Sequence, residues 1–242
     1  VYSLLLAVEL VSRFGLPEAA SKLLAERGGR DAGLESTALT MGLVVHLTVF
    51  AVFWLAAPLL AELLGIDDGT RLFRIAALDI PAYGLMAASY HLLNGRRMFH
   101  LESSGLALYG LTRLVGIGVL FAIGPTIANA LALNVATSLV ALAFFAYHVG
   151  RDAWRPSFAE WRPIVGLAVP IAVTSMGSTI LISLDLWMLS ASGAVIDDVT
   201  RGHYVAAATI ARIPNLVANA MAAVLLPSIA AALALDDGDV AA

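Results

Sequence analysis

Long uncharged apolar runs alternate along this chain with short stretches that hold nearly all of its charge. A hydrocarbon layer about 30 Å thick takes about 20 helical residues at ~1.5 Å each, so run length predicts the elements. Seven spanning helices result, over residues 1–16, 38–64, 72–94, 104–123, 125–150, 163–192 and 203–235. Residues 103–150 hold a single charge, Arg113, and are too long for one crossing. Gly124-Pro125 divides them into a tight hairpin, because proline lacks the amide a continuing helix needs. The first run opens at Val1 with no charged segment ahead of it, so it does not read as a signal peptide. It reads as a chain entered partway through a hydrophobic helix, and the sequence is expected to be a piece of something longer. The fold class predicted is all-α, a polytopic membrane helix bundle.

Composition agrees with that class. The 242 residues are 60% hydrophobic and 13% charged, against about 45–50% and about 25% for an average soluble domain. Mean hydropathy is +0.87, which excludes a water-soluble globule. Fourteen Lys and Arg against 18 Asp and Glu give a net charge of -4, which excludes a basic nucleic-acid binder. With no cysteine there is no disulfide, thiolate metal site or cysteine nucleophile. No soluble lobe, low-complexity tract or Gly/Ser linker interrupts the runs.

Charge placement sets orientation, since cytoplasmic loops collect Lys and Arg. Alternate loops on one side hold Arg13, Lys22, Arg27, Arg30, Arg96, Arg97, Arg151, Arg155 and Arg162, while the other side holds Arg71, Arg74 and Arg201. Nine against three puts the loops after the first, third and fifth spans in the cytoplasm, and Asp67-Asp68 and Asp197-Asp198 outside. Trp154 and Trp161 flank the connector 151–162, which reads either as a segment lying along the membrane surface or as a plain loop.

In a membrane span the expensive residue carries the information, because Arg or Asp at the centre costs about 2.5–3.5 kcal/mol on insertion scales. Arg113 and Arg212 each lie about nine residues into their predicted spans, so both are expected ~14 Å deep, near the midplane. Two cations at one depth suit a cavity for an anionic substrate; separate pairing with acids or carbonyls of neighbouring helices is the competing reading. Thr209, Arg212, Asn215 or Leu216, and Asn219 share one helical face, which is either a wet cavity wall or interhelical hydrogen bonding. Ser175, Ser178, Asp185 and Ser192 mark a polar face on the preceding span. Asp185, about 22 residues or ~33 Å from Pro163, falls in the outer half, so a simple Asp185–Arg212 pair is not expected on height. Asp79 is likewise outer, on a face with Tyr83, Met86 and Tyr90; it is expected to bind a coupling ion or, more simply, to pair with Arg74 or Arg71. Glu9 and His46 are read as residues near helix ends, and a lone histidine is more often packed than catalytic.

Gly116-x-Gly118 lies within a span and not after a strand, so it reads as close packing of small residues and not as a nucleotide loop. No His/Glu cluster at metal spacing and no Gly-x-Ser-x-Gly elbow occurs, so no cofactor, metal or catalytic residue is expected, and the chain is not expected to be an enzyme.

Four stretches carry a family resemblance: Phe14-Gly-Leu-Pro-Glu-Ala-Ala; Pro81-Ala-Tyr-Gly-Leu running to Leu93-Asn-Gly-Arg-Arg; Val169-Pro-Ile with Leu184-Asp-Leu-Trp-Met-Leu; and Gly202-His-Tyr-Val-Ala-Ala-Ala through Leu226-Pro-Ser-Ile. In their order and spacing over nearly the whole chain, they resemble the polysaccharide and oligosaccharide flippase family within the multidrug/oligosaccharidyl-lipid/polysaccharide exporter superfamily. The resemblance implies two lobes of six helices around a central cavity, with this chain running from the family's second helix to its eighth. Residues 1–150 would then form most of the N-terminal lobe, 151–162 a cytoplasmic connector, and 163–242 the start of the C-terminal lobe. It further implies a multi-pass protein of the cell membrane that moves lipid-linked glycans between leaflets, with the glycan lipid, the bilayer and glycan-assembly proteins as partners and no nucleic acid. Asp185 matches the acid of the family's seventh helix. Arg113, Arg212, Asn215 and Asn219 are the expected substrate contacts, and Asp79 and Asp185 the expected coupling or pairing acids. Three alternatives stand beside this reading: an ion-coupled small-molecule antiporter, a non-transporting scaffold, and a membrane-embedded transferase.

Overall fold

The structure, a computed structural model, describes residues 14–66, 68–191, 198–214, 217, 218 and 221. All regular secondary structure among them is helical. The chain divides into two compact units, Val1–Ser178 and Thr179–Ala242.

In the first unit, α1 spans Leu16–Glu26, α2 Ala32–Leu63, α3 Gly69–Ala77, α4 Asp79–Gly95, α5 Phe99–Ile123 and α6 Ile127–Val149. A 3-10 turn at Arg151–Trp154 leads to α7, Trp161–Ala191, whose residues from Thr179 on belong to the second unit, and α8 is Asp198–Ala211. Among the described residues, Ala32–Leu63, Gly69–Gly95, Phe99–Ile123 and Ile127–Val149 are long and apolar enough to cross a membrane, and Trp161–Ser175 is a shorter apolar helix. The spans turn large apolar side chains outward: Val52, Leu55, Leu59 and Leu63 follow one another at spacings of three and four along α2, all exposed. Such a stripe is stable facing hydrocarbon and not water.

Local chemistry explains three of the boundaries that depart from the run-length ruler. The span expected from residue 38 begins at Ala32, because Asp31 caps it, its Oδ1 accepting from the Leu34 amide at 3.0 Å. Charged Glu35 inside that first turn hides the start from hydropathy. Residues 17–26, expected as loop, are helical and form α1 with Leu16. Pro17 occupies its first turn, and Leu16, Ala19, Ala20 and Leu24 bury one face at helical spacing. The third span is interrupted at Leu78, where α3 stops and α4 begins. Pro81 is the cause: its ring meets the carbonyl four residues back, that of Ala77, the last residue of α3. The hairpin break at Gly124-Pro125 stands where the sequence put it, with Gly124 at φ 102°, a conformation glycine adopts without strain.

Two apolar clusters hold the first unit. One joins α1, α2, α4, α6 and the start of α7 through Leu24, Leu34, Leu92, Leu93, Phe145 and Ile164. The other joins α2, α3, α4 and α6 through Phe53, Phe73, Ile80 and Leu131. His46 lies in the middle of α2, not near its end, and is packed, with its Nδ1 2.5 Å from the Gly42 carbonyl oxygen. A Cβ on Gly84 of α4 would fall 2.0 Å from the His46 ring, so α4 passes α2 here only because residue 84 has no side chain.

The connector after α6 opens with the 3-10 turn Arg151–Trp154. It is docked on the first turns of α2: the Ser157 amide donates to Thr40 Oγ1 at 3.0 Å, and the Glu160 amide donates to Thr37 Oγ1 at 3.3 Å. Arg27 donates to Glu160 at 2.8 Å and to Asp31 at 2.6 Å. Trp154, expected at lipid headgroups, packs against the first cluster, while Trp161 is exposed.

Candidate functional site

At the same end of the first unit an ion pair joins Glu35 to Arg96. Arg96 Nε and Nη2 donate to the two Glu35 carboxylate oxygens at 2.7 and 2.6 Å, and Nη2 and Nη1 donate to the Val149 and His148 carbonyls at 2.9 and 3.5 Å. Arg96 thus ties the start of α2, the end of α4 and the end of α6 together. Orientation rules counted Arg96 as a loop cation; its partner Glu35 could have been found from the lone acid in the opening turn of an apolar helix.

Deeper in the same unit a polar seam crosses three helices. Arg113 lies fourteen residues after Phe99 and ten before Ile123, about 21 and 15 Å from the two ends of α5 at the helical rise. Its Nη2 donates to Asn134 Oδ1 of α6 at 2.8 Å. Its Nη1 donates to the Tyr109 hydroxyl, one turn back, at 3.4 Å, and the guanidinium carbon lies 5.6 Å from that ring's centre. The Asn134 amide in turn donates to Asp79 Oδ2. Asp79, the first residue of α4, is 1% exposed, and a carboxylate suits a helix N-terminus. Tyr83, one turn along α4, faces Tyr109 with ring centres 6.2 Å apart.

Asn134 was missed from sequence because it carries no charge. Its signal was an amide placed in an otherwise apolar span, which must find partners inside the bundle. The expectation that Asp79 pairs with Arg74 or Arg71 is corrected: Arg71 reaches Asp68 at 3.5 Å, and Arg74 lies over the Trp54 ring at 5.4 Å. Both arginines precede the Leu78 break, on a different helix from Asp79. Beside the seam a cleft of about 370 Å³ opens between α5 and α6, with Arg113 and Asn134 at one end and walls of Ile117, Leu120, Ile127 and Leu133.

In the second unit Asp185 accepts from the Tyr204 hydroxyl at 2.9 Å, and Arg212 Nη2 lies 3.9 Å from its other oxygen. Tyr204 and Arg212 are two turns apart on one helical face. The height argument against an Asp185–Arg212 pair is therefore corrected. Side chains tilt toward their own helix N-terminus, so on consecutive spans running in opposite directions Asp185 and Arg212 lean toward each other. The long arginine stem covers the remainder. The helix leading to Arg212 begins at Asp198 and not near residue 203. Thr209 spends its hydroxyl on its own helix, donating to the Val205 carbonyl at 2.7 Å. Asn215, Asn219 and Ser192 lie outside the described residues, and Arg113 and Arg212 belong to different units.

Among the described residues no three His, Cys, Asp or Glu side chains cluster as metal ligands. No curated protein and no solved structure matches the chain. The model of one family, described as polysaccharide biosynthesis protein, matches residues 1–233, nearly the whole length. A helical chain with four apolar spans among its described residues, and polar side chains joined across them, is a membrane protein, and this one belongs to the polysaccharide biosynthesis protein family.

Proposed function

We propose that this protein is a flippase that carries lipid-linked oligosaccharide or polysaccharide precursors across the cell membrane by alternating access between two helical lobes. The observation that carries this reading is the Arg113–Asn134–Asp79 seam, an arginine held at mid-span depth by neighbouring helices. A phosphate leaving water loses its hydration; a guanidinium with its planar fork of donors replaces that at the same depth. Arg113 and Arg212 meet the phosphate, Asn215 and Asn219 contribute amides, and the lipid chain stays in hydrocarbon while the glycan crosses inside. No covalent step is required, and glycan-assembly proteins supply the substrate.

Two other readings each have an observation in their favour. The burial of Asp79 beside Asn134 favours an ion-coupled antiporter, in which Asp79 or Asp185 takes the coupling ion. The local pairing of Arg212 with Asp185, and of Arg113 with Asn134, favours a non-transporting scaffold.

The test uses the full-length protein in sealed vesicles loaded with a fluorescent lipid-linked glycan. Arg113→Gln and Arg212→Gln should each slow translocation at least tenfold at unchanged expression and unchanged melting temperature. Unaltered transport in both variants would sink the proposal. Glycan synthesis in cells that depends on the protein, without translocation in purified vesicles, would establish the scaffold.

A further inference from the structure

A single amide joins Asp79 to Arg113. The Asn134 side chain donates to Asp79 Oδ2 through its NH2 group and accepts from Arg113 Nη2 at 2.8 Å through its carbonyl oxygen. A second acceptor of Arg113, the Tyr109 hydroxyl at 3.4 Å, is also neutral. Helix α4 supports it as well, because Tyr83, one turn after Asp79, lies against the Tyr109 ring with centres 6.2 Å apart. One helix thus stands behind both of these acceptors. A neutral acceptor holds a guanidinium about half as strongly as a carboxylate does, so an incoming anion can displace it. Asp79 is 1% exposed, and little water screens its charge from a guanidinium one amide away. From there a carboxylate pulls against any anion that binds Arg113, without taking the anion's place.

We propose that Asp79 is a positioning residue that acts through Asn134: it sets how tightly Arg113 holds an anion, and so how readily the anion leaves. The inference rests on the flippase reading and deepens it, because it names what regulates the affinity of that site. A carrier must bind its cargo well enough to capture it and weakly enough to release it. Asparagine at 134 is the spacer such a balance needs. A carboxylate at that position would neutralise the guanidinium outright, and an aliphatic side chain would part it from Asp79. Asp79 itself opens α4, where the positive end of the helix dipole supplies part of its compensation, so Arg113 is not wholly spent on it.

The experiment separates charge from hydrogen bonding. Asp79→Asn removes the charge and keeps an acceptor for the Asn134 amide. Asp79→Asn combined with Asn134→Asp exchanges carboxylate and amide, which preserves net charge and sets the carboxylate directly against Arg113. Full-length protein is assayed for equilibrium binding of tritiated dodecyl phosphate in a neutral detergent, and for translocation of fluorescent N-acetylglucosaminyl dodecyl phosphate in phosphatidylcholine vesicles. Asp79→Asn should tighten binding and lower the half-saturating concentration at least threefold, with the maximal rate lowered by a similar factor. The exchange variant should weaken binding and raise half-saturation at least fivefold. In an Arg113→Gln background neither change should move binding more than about twofold. A role in folding alone would lower melting temperature and transport in both variants without opposite shifts in affinity. Shifts in the same direction, or none in Asp79→Asn at unchanged melting temperature, overturn the proposal. If the exchange variant does not fold, Asp79→Asn with and without Arg113→Gln decides alone. Opposite binding shifts in a protein that translocates nothing support the positioning role and remove the flippase. Arg113-dependent translocation without those shifts overturns the positioning role and leaves the flippase standing, and a wild type that neither binds nor translocates overturns both.

Discussion

The ion pair of Glu35 with Arg96 makes a sharp prediction about what closes the charge-rich end of the first unit. The two side chains are 7% and 17% exposed, so solvent screens little of their attraction. Glu35→Ala removes two short charge-assisted hydrogen bonds and leaves the guanidinium held by two carbonyl oxygens with no counter-charge. Charge-assisted bonds contribute about 1.5–3 kcal/mol each, and breaking a buried pair by deleting one partner costs about 3–5 kcal/mol. Residual exposure of Arg96 argues for the lower end, about 3 kcal/mol. For a domain of this size that is a fall in melting temperature of about 6–12 °C. Arg96→Lys should fall between, because an ammonium keeps the charge but cannot form the two-pronged contact. The assay is thermal unfolding in detergent of the wild type, Glu35→Ala, Arg96→Met and the double variant. The double variant should lose clearly less than the two singles added together, with a coupling of about 2 kcal/mol or more. Additive losses, or a Glu35→Ala drop below about 2 °C, would refute the reasoning.

Three further outcomes are expected from the same structure. Gly84→Ala should destabilise by about 1–3 kcal/mol through overpacking, since its Cβ would fall on the His46 ring, and His46→Ala in the same chain should recover much of the loss in a melting assay. Asn134→Leu removes the amide that both Arg113 and Asp79 use; a loss of stability of about 1–3 kcal/mol, read as a lowered melting temperature, is expected, and an unchanged melting temperature would show that the seam is not built on that amide. Asp31 is held below the usual carboxylate range, first by the Leu34 amide and then by Arg27, so its charge stabilises the fold above the ordinary aspartate value of ~3.9 and ceases to do so as pH falls through the lower folded value. Melting temperatures of wild type and Asp31→Asn should therefore differ at pH 7 and converge in acid, and a gap that widens in acid would reverse the sign.

Spans were legible wherever apolar length alone decided them, and the Gly124-Pro125 break was legible because proline acts on its own helix. Charged residues inside helices defeated the same ruler. Glu18, Lys22 and Glu26 disguised α1, and Glu35 disguised the first turns of α2, since hydropathy cannot tell a charge in water from one paired in a bundle. The arginine of the candidate site was legible from its cost in lipid, but its partner was not. Asn134 is one amide among many small polar residues, and only helix packing shows that it lies between Arg113 and Asp79. Residue counting failed to foresee the Asp185–Arg212 pair, because counting ignores side-chain direction and reach.

The sequence by itself determined the solvent, the class and the family: apolar run length and scarce charge permit only helices in lipid, where every backbone group must be satisfied within its own segment. The tertiary structure decided which scarce charges meet. Arg96 is committed to Glu35 and two carbonyls, the connector to Thr37 and Thr40, and Arg113 to Asn134. Those choices lie outside the sequence pattern for a physical reason. Insertion energy depends on one residue and its depth, whereas pairing depends on which helices lie side by side and which way their side chains lean.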